Sequence, residues 1–593
     1  MSVSFQVGQE VSKAFASLYG EKLNAEFFQI ESTKPNFEGD QTLVVFPLLK
    51  ITKKSPEESA NVIGEWLISN SDLFSDFNVV KGFLNLSLKS SFWITAFNKS
   101  LTLKNYGFNP NKSGKTYMVE YSSPNTNKPL HLGHLRNNFL GYAVSEILKA
   151  NGHNVVKTQI INDRGIHICK SMLAWQKFGN GETPESANLK GDHLIGKYYV
   201  AFDKAFKEEV SDLIESGLSK DDAEKQTQIL KEAQSILLKW ENKDPEVYNL
   251  WEKMNAWVYE GFNQTYQLMG VDFDKLYYES DTFILGKDVV SSGLESGVFY
   301  KKEDGSVWCD LSEDKLDDKL LLRADGTSVY MTQDLGTAIE RYKDYNNLSG
   351  LIYTVGNEQN HHFKVLFTIL KKLGYSWAEE CFHLSYGMVE LPEGRMKSRE
   401  GTVVDADDLI LSVIDDAKQM TEQRGQLEGM SEDDKKLLYE TIGKGGLKYY
   451  LLKVDPKKKM MFNPTESIDL NGNTAPFIQY CYARIQSILR KGKGSIKSID
   501  INIVLSPSEL QLIKLLADYP NVVSEAGKNL SPAVIANYSF DLVKAYNSFY
   551  QSIPILGEKD EQLKAFRIVL SEKISLVIES AMKLLGIEVP QKM

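Results

Sequence analysis

The chain has 593 residues, 42% hydrophobic and 25% charged, with 68 Lys and Arg against 79 Asp and Glu for a net charge of −11. That length predicts several domains, each burying its own core, and the composition excludes a disordered chain, a collagen and a small disulfide-stapled scaffold. Four cysteines (Cys169, Cys309, Cys381 and Cys481) lie far apart in sequence, which excludes a C-x-x-C zinc ribbon and fits a reducing compartment.

The first twenty residues lack the apolar core of a secretory signal, and no run of about 18 apolar residues exists, so the expectation is a cytoplasmic protein without a membrane span. Residues 1–110 read as a small α/β domain. Val3–Gly20 is helical in pattern, Pro56–Asn70 repeats apolar residues at helical spacing (Ala60, Ile63, Leu67), and Gly82–Leu88 alternates like a strand. The Asn, Pro, Ser and Gly of residues 109–114 mark a linker.

From 111 to about 410, strands alternate with helices. Tyr117–Ser122 is β-like, and His131 to Ala150 is helical with Leu135, Phe139, Ala143 and Ile147 on one side. Val155–Ile161 follows as a strand and Ile166–Phe178 as a helix. After a helical, aromatic-rich insertion over about 180–270, the pattern resumes with strand Ser328–Met331, helix Asp334–Tyr345, strand Gly350–Val355, helix Asn360–Gly374 and strand Phe382–Val389. This alternation predicts a doubly wound, parallel, Rossmann-like sheet. Residues 411–593 show only amphipathic helices, hence a C-terminal helical bundle. The expected fold class is therefore a multidomain α/β plus all-α protein. Between Thr441 and Ile499 stand 11 Lys and Arg against 3 Asp and Glu, a candidate phosphate-binding surface on an acidic protein.

The sharpest local signal is His131-Leu132-Gly133-His134, which follows a strand and a Pro-containing turn and opens a helix. A helix N-terminus presents unpaired N–H groups and positive partial charge, so it is a ready phosphate site. Two histidines three apart share one face of the first turn, and Gly133 leaves room for a flat base against the backbone. No G-x-x-x-x-G-K-[ST] loop is present here.

H-x-G-H after the first strand of such a sheet resembles the class I aminoacyl-tRNA synthetases. Their second signature, K-M-S-K-S, is expected after the last sheet strand, where this sequence has a degenerate Arg395-Met396-Lys397-Ser398-Arg399. Ser398 stands at the usual second-lysine position, flanked by Lys397 and Arg399. The surroundings resemble arginyl-tRNA synthetases over nearly the whole chain: Glu120-Tyr121-Ser122-Ser123-Pro124-Asn125, Lys128-Pro129-Leu130 before the first histidine, Asn162-Asp163-x-Gly165, Tyr330-x-x-x-Asp334-x-Gly336, Gln359-x-x-His362 and Leu584-Leu585-Gly586-Ile587. Family members with a degenerate second signature carry a lysine before H-x-G-H, as Lys128 does here.

The resemblance implies ATP-dependent ligation of arginine to its tRNA through arginyl-adenylate, with Mg²⁺ and with tRNA bound for the first step. It places His131, Gly133, His134, Met396, Lys397 and Ser398 at ATP. Transition-state charge falls to His131, His134, Lys128, Lys397 and Arg399. For arginine it implies Glu120, Asn125, Tyr330, Asp334 and Gln359, with Glu120 on either the guanidinium or the α-amino group. A planar guanidinium with five donors needs carboxylates plus neutral acceptors, which this set supplies. Gln479, Tyr480, Arg484 and Arg490 fall in the implied anticodon-binding domain, where aromatic and cationic side chains suit unpaired bases. No resident metal is expected, and monomer is the family habit. The alternatives are another class I synthetase and an inactive tRNA-binding relative.

Overall fold

The computed structural model describes residues 3–34, 36–390, 404–424, 429–492 and 498–593. They divide into two compact units. The first comprises Met1–Gly107, Ile485–Val522 and Asp541–Val577; the second comprises Phe108–Arg484, Val523–Phe540 and Ile578–Met593.

The first unit holds an antiparallel sheet of β1 (Ile30–Ser32), β2 (Gln41–Val44), β3 (Phe74–Val80) and β4 (Phe83–Leu88), in the order β1-β2-β4-β3. Helix Pro56–Asn70 begins with Pro at its first position and a reciprocal Ser55–Glu58 capping box, which together satisfy the first turn. Gly64 lets this helix lie against Phe77, whose ring would stand 2.4 Å from an added Cβ. Asn98 exchanges two hydrogen bonds with the backbone of Ile499, so N-terminal and C-terminal segments share this unit.

The second unit is built on five parallel strands, β5 (Thr116–Glu120), β6 (Asn154–Ile161), β7 (Lys275–Tyr278), β11 (Leu348–Gly356) and β12 (Cys381–Tyr386), in the order β12-β11-β5-β6-β7. The order reverses between β5 and β11, and ligands of such sheets bind outside the carboxyl ends at that switch point. Leu351, Ile352, Tyr353 and Thr354 are consecutive and buried, as expected of a central strand covered on both faces. Helix Leu132–Ala150 connects β5 to β6, and helix Tyr330–Asp344 precedes β11.

Two expectations are corrected. Ser328–Met331 is not a sheet strand: Ser328 makes an isolated bridge to Leu322, Val329 is the last extended residue, and the helix starts at Tyr330. The strand expected over Phe382–Val389 stops at Tyr386, where the Gly387 N–H turns to the Pro456 carbonyl (2.9 Å), and Val389–Glu390 (β13) pairs instead with Met460–Met461 (β14). Two features had no counterpart in the expectation. One is the edge strand β7. The other is an antiparallel sheet of β8 (Phe299–Lys301), β9 (Val307–Cys309) and β10 (Lys319–Leu322). The insertion over about 180–270 is helical as expected, from Pro184–Ala187 to Pro245–Met269. No described helix is long and apolar enough to cross a membrane.

Candidate active site at the sheet switch point

His131 is the N-cap of helix Leu132–Ala150. Its Nδ1 accepts the Gly133 N–H (3.1 Å), while Nδ1 of His134 accepts the His131 N–H (3.1 Å). The imidazoles thus act as a capping box usually made by Ser and Glu. Because both Nδ1 atoms accept, each neutral ring carries its proton on Nε2 and keeps that N–H as a donor. The rings sit 3.9 Å apart. Burial, helped by Lys128, pushes His131 down to about 4. Burial, His131 and Lys128 push His134 well below its ordinary value. Both are neutral donors at physiological pH. A Cβ on Gly133 would stand 3.0 Å from the His131 ring, a tight contact that would push on the capping imidazole. Gly141 similarly lets the helix touch Tyr121 at the end of β5.

Lys128 is half-buried, with no ion pair among the described residues, and burial lowers its pKa. The turn before it is pinned by backbone: the Thr126 N–H donates to Asn162 O and the Asn162 N–H to Pro124 O, with a parallel bridge between Asn125 and Asn162. The side-chain amide of Asn137 ties this turn to β11. Its Oδ1 accepts the Ser122 N–H (2.5 Å), and its Nδ2 donates to Thr354 O (2.6 Å).

Met396, Lys397, Ser398 and Arg399 lie outside the described residues. The flanks of their segment are both attached to the histidine helix. On the entry side, Arg136, 1% exposed, donates to the Gly387 carbonyl (2.5 Å), and it also donates to those of Lys458 (3.1 Å) and Pro456 (3.3 Å) in the segment leading to β14. On the exit side the Leu132 N–H donates to Val404 O (3.2 Å), the Ala406 N–H donates to Leu130 O (3.0 Å), and His131 forms an antiparallel bridge with Asp405.

The residues expected at arginine gather at the carboxyl ends of the strands. Tyr330 and Asp334 lie one turn apart on helix Tyr330–Asp344, with Tyr330 76% exposed. Asp334 Oδ2 is 2.6 Å from His362 Nε2. Asn125 and Gln359 are exposed, Gln359 after β11. Glu120 is different. It is buried and its carboxylate pairs with Arg341, a residue only 1% exposed, whose guanidinium stands 5.0 Å from the Tyr277 ring and 5.5 Å from the Tyr353 ring. Burial opposes the charge on Arg341, but Glu120 and the two tyrosines override it and hold its pKa above the ordinary value.

Sequence reading missed Glu279, the first residue after β7. Burial, assisted by Asp163 and Asp334 and opposed by Arg164, pushes its carboxyl up to about 7. A carboxyl held near neutrality beside a second carboxylate in a ligand crevice is primed for a cation. The signal was hidden because β7 was not recognised, so nothing placed Glu279 at a strand end. Neighbouring Asp163 is a packing hub: its carboxylate accepts from Tyr259 (2.8 Å) and from the Ser280 hydroxyl (2.7 Å) and N–H (2.8 Å).

One nucleic-acid expectation is corrected. Gln479 is fully buried, and its Nε2 donates to the carbonyls of Thr441 (3.0 Å) and Glu588 (2.8 Å), so it ties the helix to the C-terminal segment and faces no RNA. Tyr480 and Arg484 are half-buried, one turn apart on helix Ala475–Lys491, with the guanidinium 4.9 Å from the ring. Arg490 is exposed near the end of that helix.

The doubly wound sheet and the histidine-capped helix at its switch point lie within a region that matches the class I tRNA synthetase catalytic domain. The family model described as tRNA synthetases class I (R), catalytic domain, matches residues 98–463, and the DALR anticodon binding domain matches 478–593. The chain is 56% identical to the arginine–tRNA ligase of Flavobacterium psychrophilum and 54% identical to that of Bacteroides thetaiotaomicron, over 100% of each chain. The solved Thermus thermophilus arginyl-tRNA synthetase shares the fold, with a TM-score of 0.81 at 23% identity over 100% of both chains. The chain belongs to the arginine class of class I tRNA synthetases.

Proposed function

We propose that the protein activates arginine with ATP and esterifies it to its tRNA. In the first step the arginine carboxylate attacks the α-phosphate, giving arginyl-adenylate and pyrophosphate. In the second, a hydroxyl of the terminal adenosine attacks the acyl carbon and AMP leaves. The chemistry asks for positioning and charge stabilisation more than proton transfer, which suits two imidazoles held neutral as Nε2–H donors. Lys128 supplies a cation beside them, and Lys397 and Arg399 a second source from the segment whose flanks are tied to the same helix. Met396 and Ser398 accompany them at ATP.

Magnesium enters as the counterion of the triphosphate. A group of three potential ligands, His193, Asp405 and Asp407, exists among the described residues. The Lys190 ammonium already rests on Asp407, so that group does not fit a resident metal. Asp334 and Glu279 take the guanidinium, with Tyr330 beside it; Asn125 and Gln359 serve the α-amino and carboxylate end. Glu120 acts from beneath, through Arg341. Tyr480, Arg484 and Arg490 contact tRNA. The working domains are 1–110 for the tRNA body, 111–410 for catalysis and 411–593 for the anticodon, in a cytoplasmic monomer.

The observation that carries this reading is the neutral histidine pair at the switch point, with carboxylates gathered at neighbouring strand ends. Charging total tRNA with each of the twenty amino acids tests it: arginine alone should be incorporated. Incorporation of another amino acid, or saturable tRNA binding with no product, would overturn it.

A further inference from the structure

The first two turns of helix Gly191–Glu215, in the insertion, touch the segments on both sides of the histidine pair. Gly196 faces the Lys128–Pro129 peptide: a Cβ there would stand 2.9 Å from Pro129 Cδ and 3.8 Å from Lys128 Cα. Three to six residues earlier, at His193 and the N-cap Lys190, the same helix meets the exit segment. His193 Nε2 lies 3.3 Å from Asp405 Oδ2 and 3.5 Å from Asp407 Oδ2, and the Lys190 ammonium contacts Asp407, Thr265 Oγ1 (2.6 Å) and Asp192 Oδ2 (3.4 Å). Asp405 caps helix Ala406–Gln423 by accepting the N–H groups of Asp407 (2.8 Å) and Asp408 (3.2 Å), and its backbone is the strand bridged to His131. Gly191 is pressed so close to the Trp257 carbonyl that a Cβ would sit 2.0 Å away, and Asp192 is fully buried against Gly261. The turn is therefore seated on helix Pro245–Met269 and has little freedom to shift.

A Cβ at Gly196 would press on the Pro129 ring, and five titratable groups (Lys190, Asp192, His193, Asp405 and Asp407) converge where a capped helix start alone would need one. We propose that this helix start is a positioning element for adenylate formation. Gly196 sets the place of Lys128 through Pro129, and Lys190 with His193 holds Asp405 and Asp407. The cation before the first histidine and the strand bridged to that histidine thereby keep a fixed separation. This inference rests on the ATP-site reading above. Lys190, His193 and Gly196 are positioning residues, since each acts through Lys128 or Asp405.

The experiment is a double-mutant cycle on the full chain, measuring arginyl-adenylate formation with tRNA present. Gly196→Ala removes no polar group, yet displacing Lys128 by a fraction of an ångström to an ångström should cut kcat about 10-fold or more. KM for arginine should stay within about twofold, because the amino-acid pocket lies on other elements. In a Lys128→Ala background, Gly196→Ala should cost less than about twofold, since the cation it positions is gone. A purely structural effect would multiply through undiminished and overturn the proposal. Should Gly196→Ala fail to fold, His193→Ala against His193→Gln decides: a loss in kcat with His193→Ala, largely restored by the amide donor of Gln, supports positioning, and equal rates for both variants and the wild type refute it. A wild-type enzyme that does not charge tRNA with arginine would refute the functional reading; a wild-type enzyme that charges, with variants indistinguishable from it, refutes this inference alone.

Discussion

Glu279 offers a quantitative test of the arginine pocket. Its carboxyl is raised to about 7 by burial, with Asp163 and Asp334 adding to the shift and Arg164 opposing it. A guanidinium arriving beside it favours the ionised form, so the pKa falls towards the ordinary carboxylate value on binding. The sign follows. Above pH 7 the free enzyme already holds the anion and arginine binds at full strength. Below pH 7 a proton must be expelled first, and KM for arginine rises about tenfold per unit until the bound-state pKa is reached. At pH 5.5 the expected increase is about 30-fold over the value at pH 8.5, or roughly 2 kcal/mol of binding. The assay is steady-state aminoacylation at saturating ATP and tRNA over that range, alongside calorimetric titration of arginine in two buffers of different ionisation enthalpy. The titration should register proton release near pH 6.5. Glu279→Gln should raise KM at neutral pH and flatten its pH dependence. A KM that is flat with pH in the native enzyme, or one that rises equally in Glu279→Gln, would show that this carboxyl does not meet the substrate.

Lys128→Ala should lower kcat about 100-fold while leaving the unfolding midpoint unchanged or slightly raised, because a half-buried ammonium without a described ion-pair partner costs stability and is recovered only against the triphosphate; thermal unfolding beside ATP–pyrophosphate exchange checks both halves. Glu120→Gln should destabilise the fold by about 3 kcal/mol, since it leaves Arg341 buried without its anion, and urea titration reads this directly. His131, held at about 4 against an ordinary 6.5, contributes stability that is complete above pH 6.5 and lost as pH falls towards 4. That loss amounts to about 3 kcal/mol, and His131→Asn, which keeps a cap, should show a shallower decline in denaturant midpoint over that interval.

The helix after β5 was legible in the sequence because its start, its two histidines and its apolar face all point to one element. The helix expected from Asp334 starts four residues earlier, at Tyr330, which brings Tyr330 and Asp334 one turn apart. The antiparallel sheet escaped notice because strands of three or four residues give too few alternations to establish a period of two. β7 escaped for the same reason: Lys275-Leu276-Tyr277-Tyr278 is four residues at a sheet edge. Glu120 was legible as a strand-end carboxylate, but its partner Arg341 lies 221 positions on, at the far end of a helix, and no local pattern links them. Gln479 sits in an aromatic and cationic stretch that reads as an RNA surface. Only packing reveals that its amide is spent on two carbonyls, where a mainly apolar helix face meets the C-terminal segment.

In the proposed reading, the floor beneath the arginine pocket already contains one guanidinium, near two tyrosine rings and paired with Glu120. On that reading the cleft meets a substrate that mimics its own foundation, and the charges of the site lie in two storeys. Redirecting such a cleft to citrulline or another uncharged side chain would take more than replacing the carboxylates that line it. The lower pair would go on shaping the field from below, so altered specificity would require both storeys to be rebuilt together.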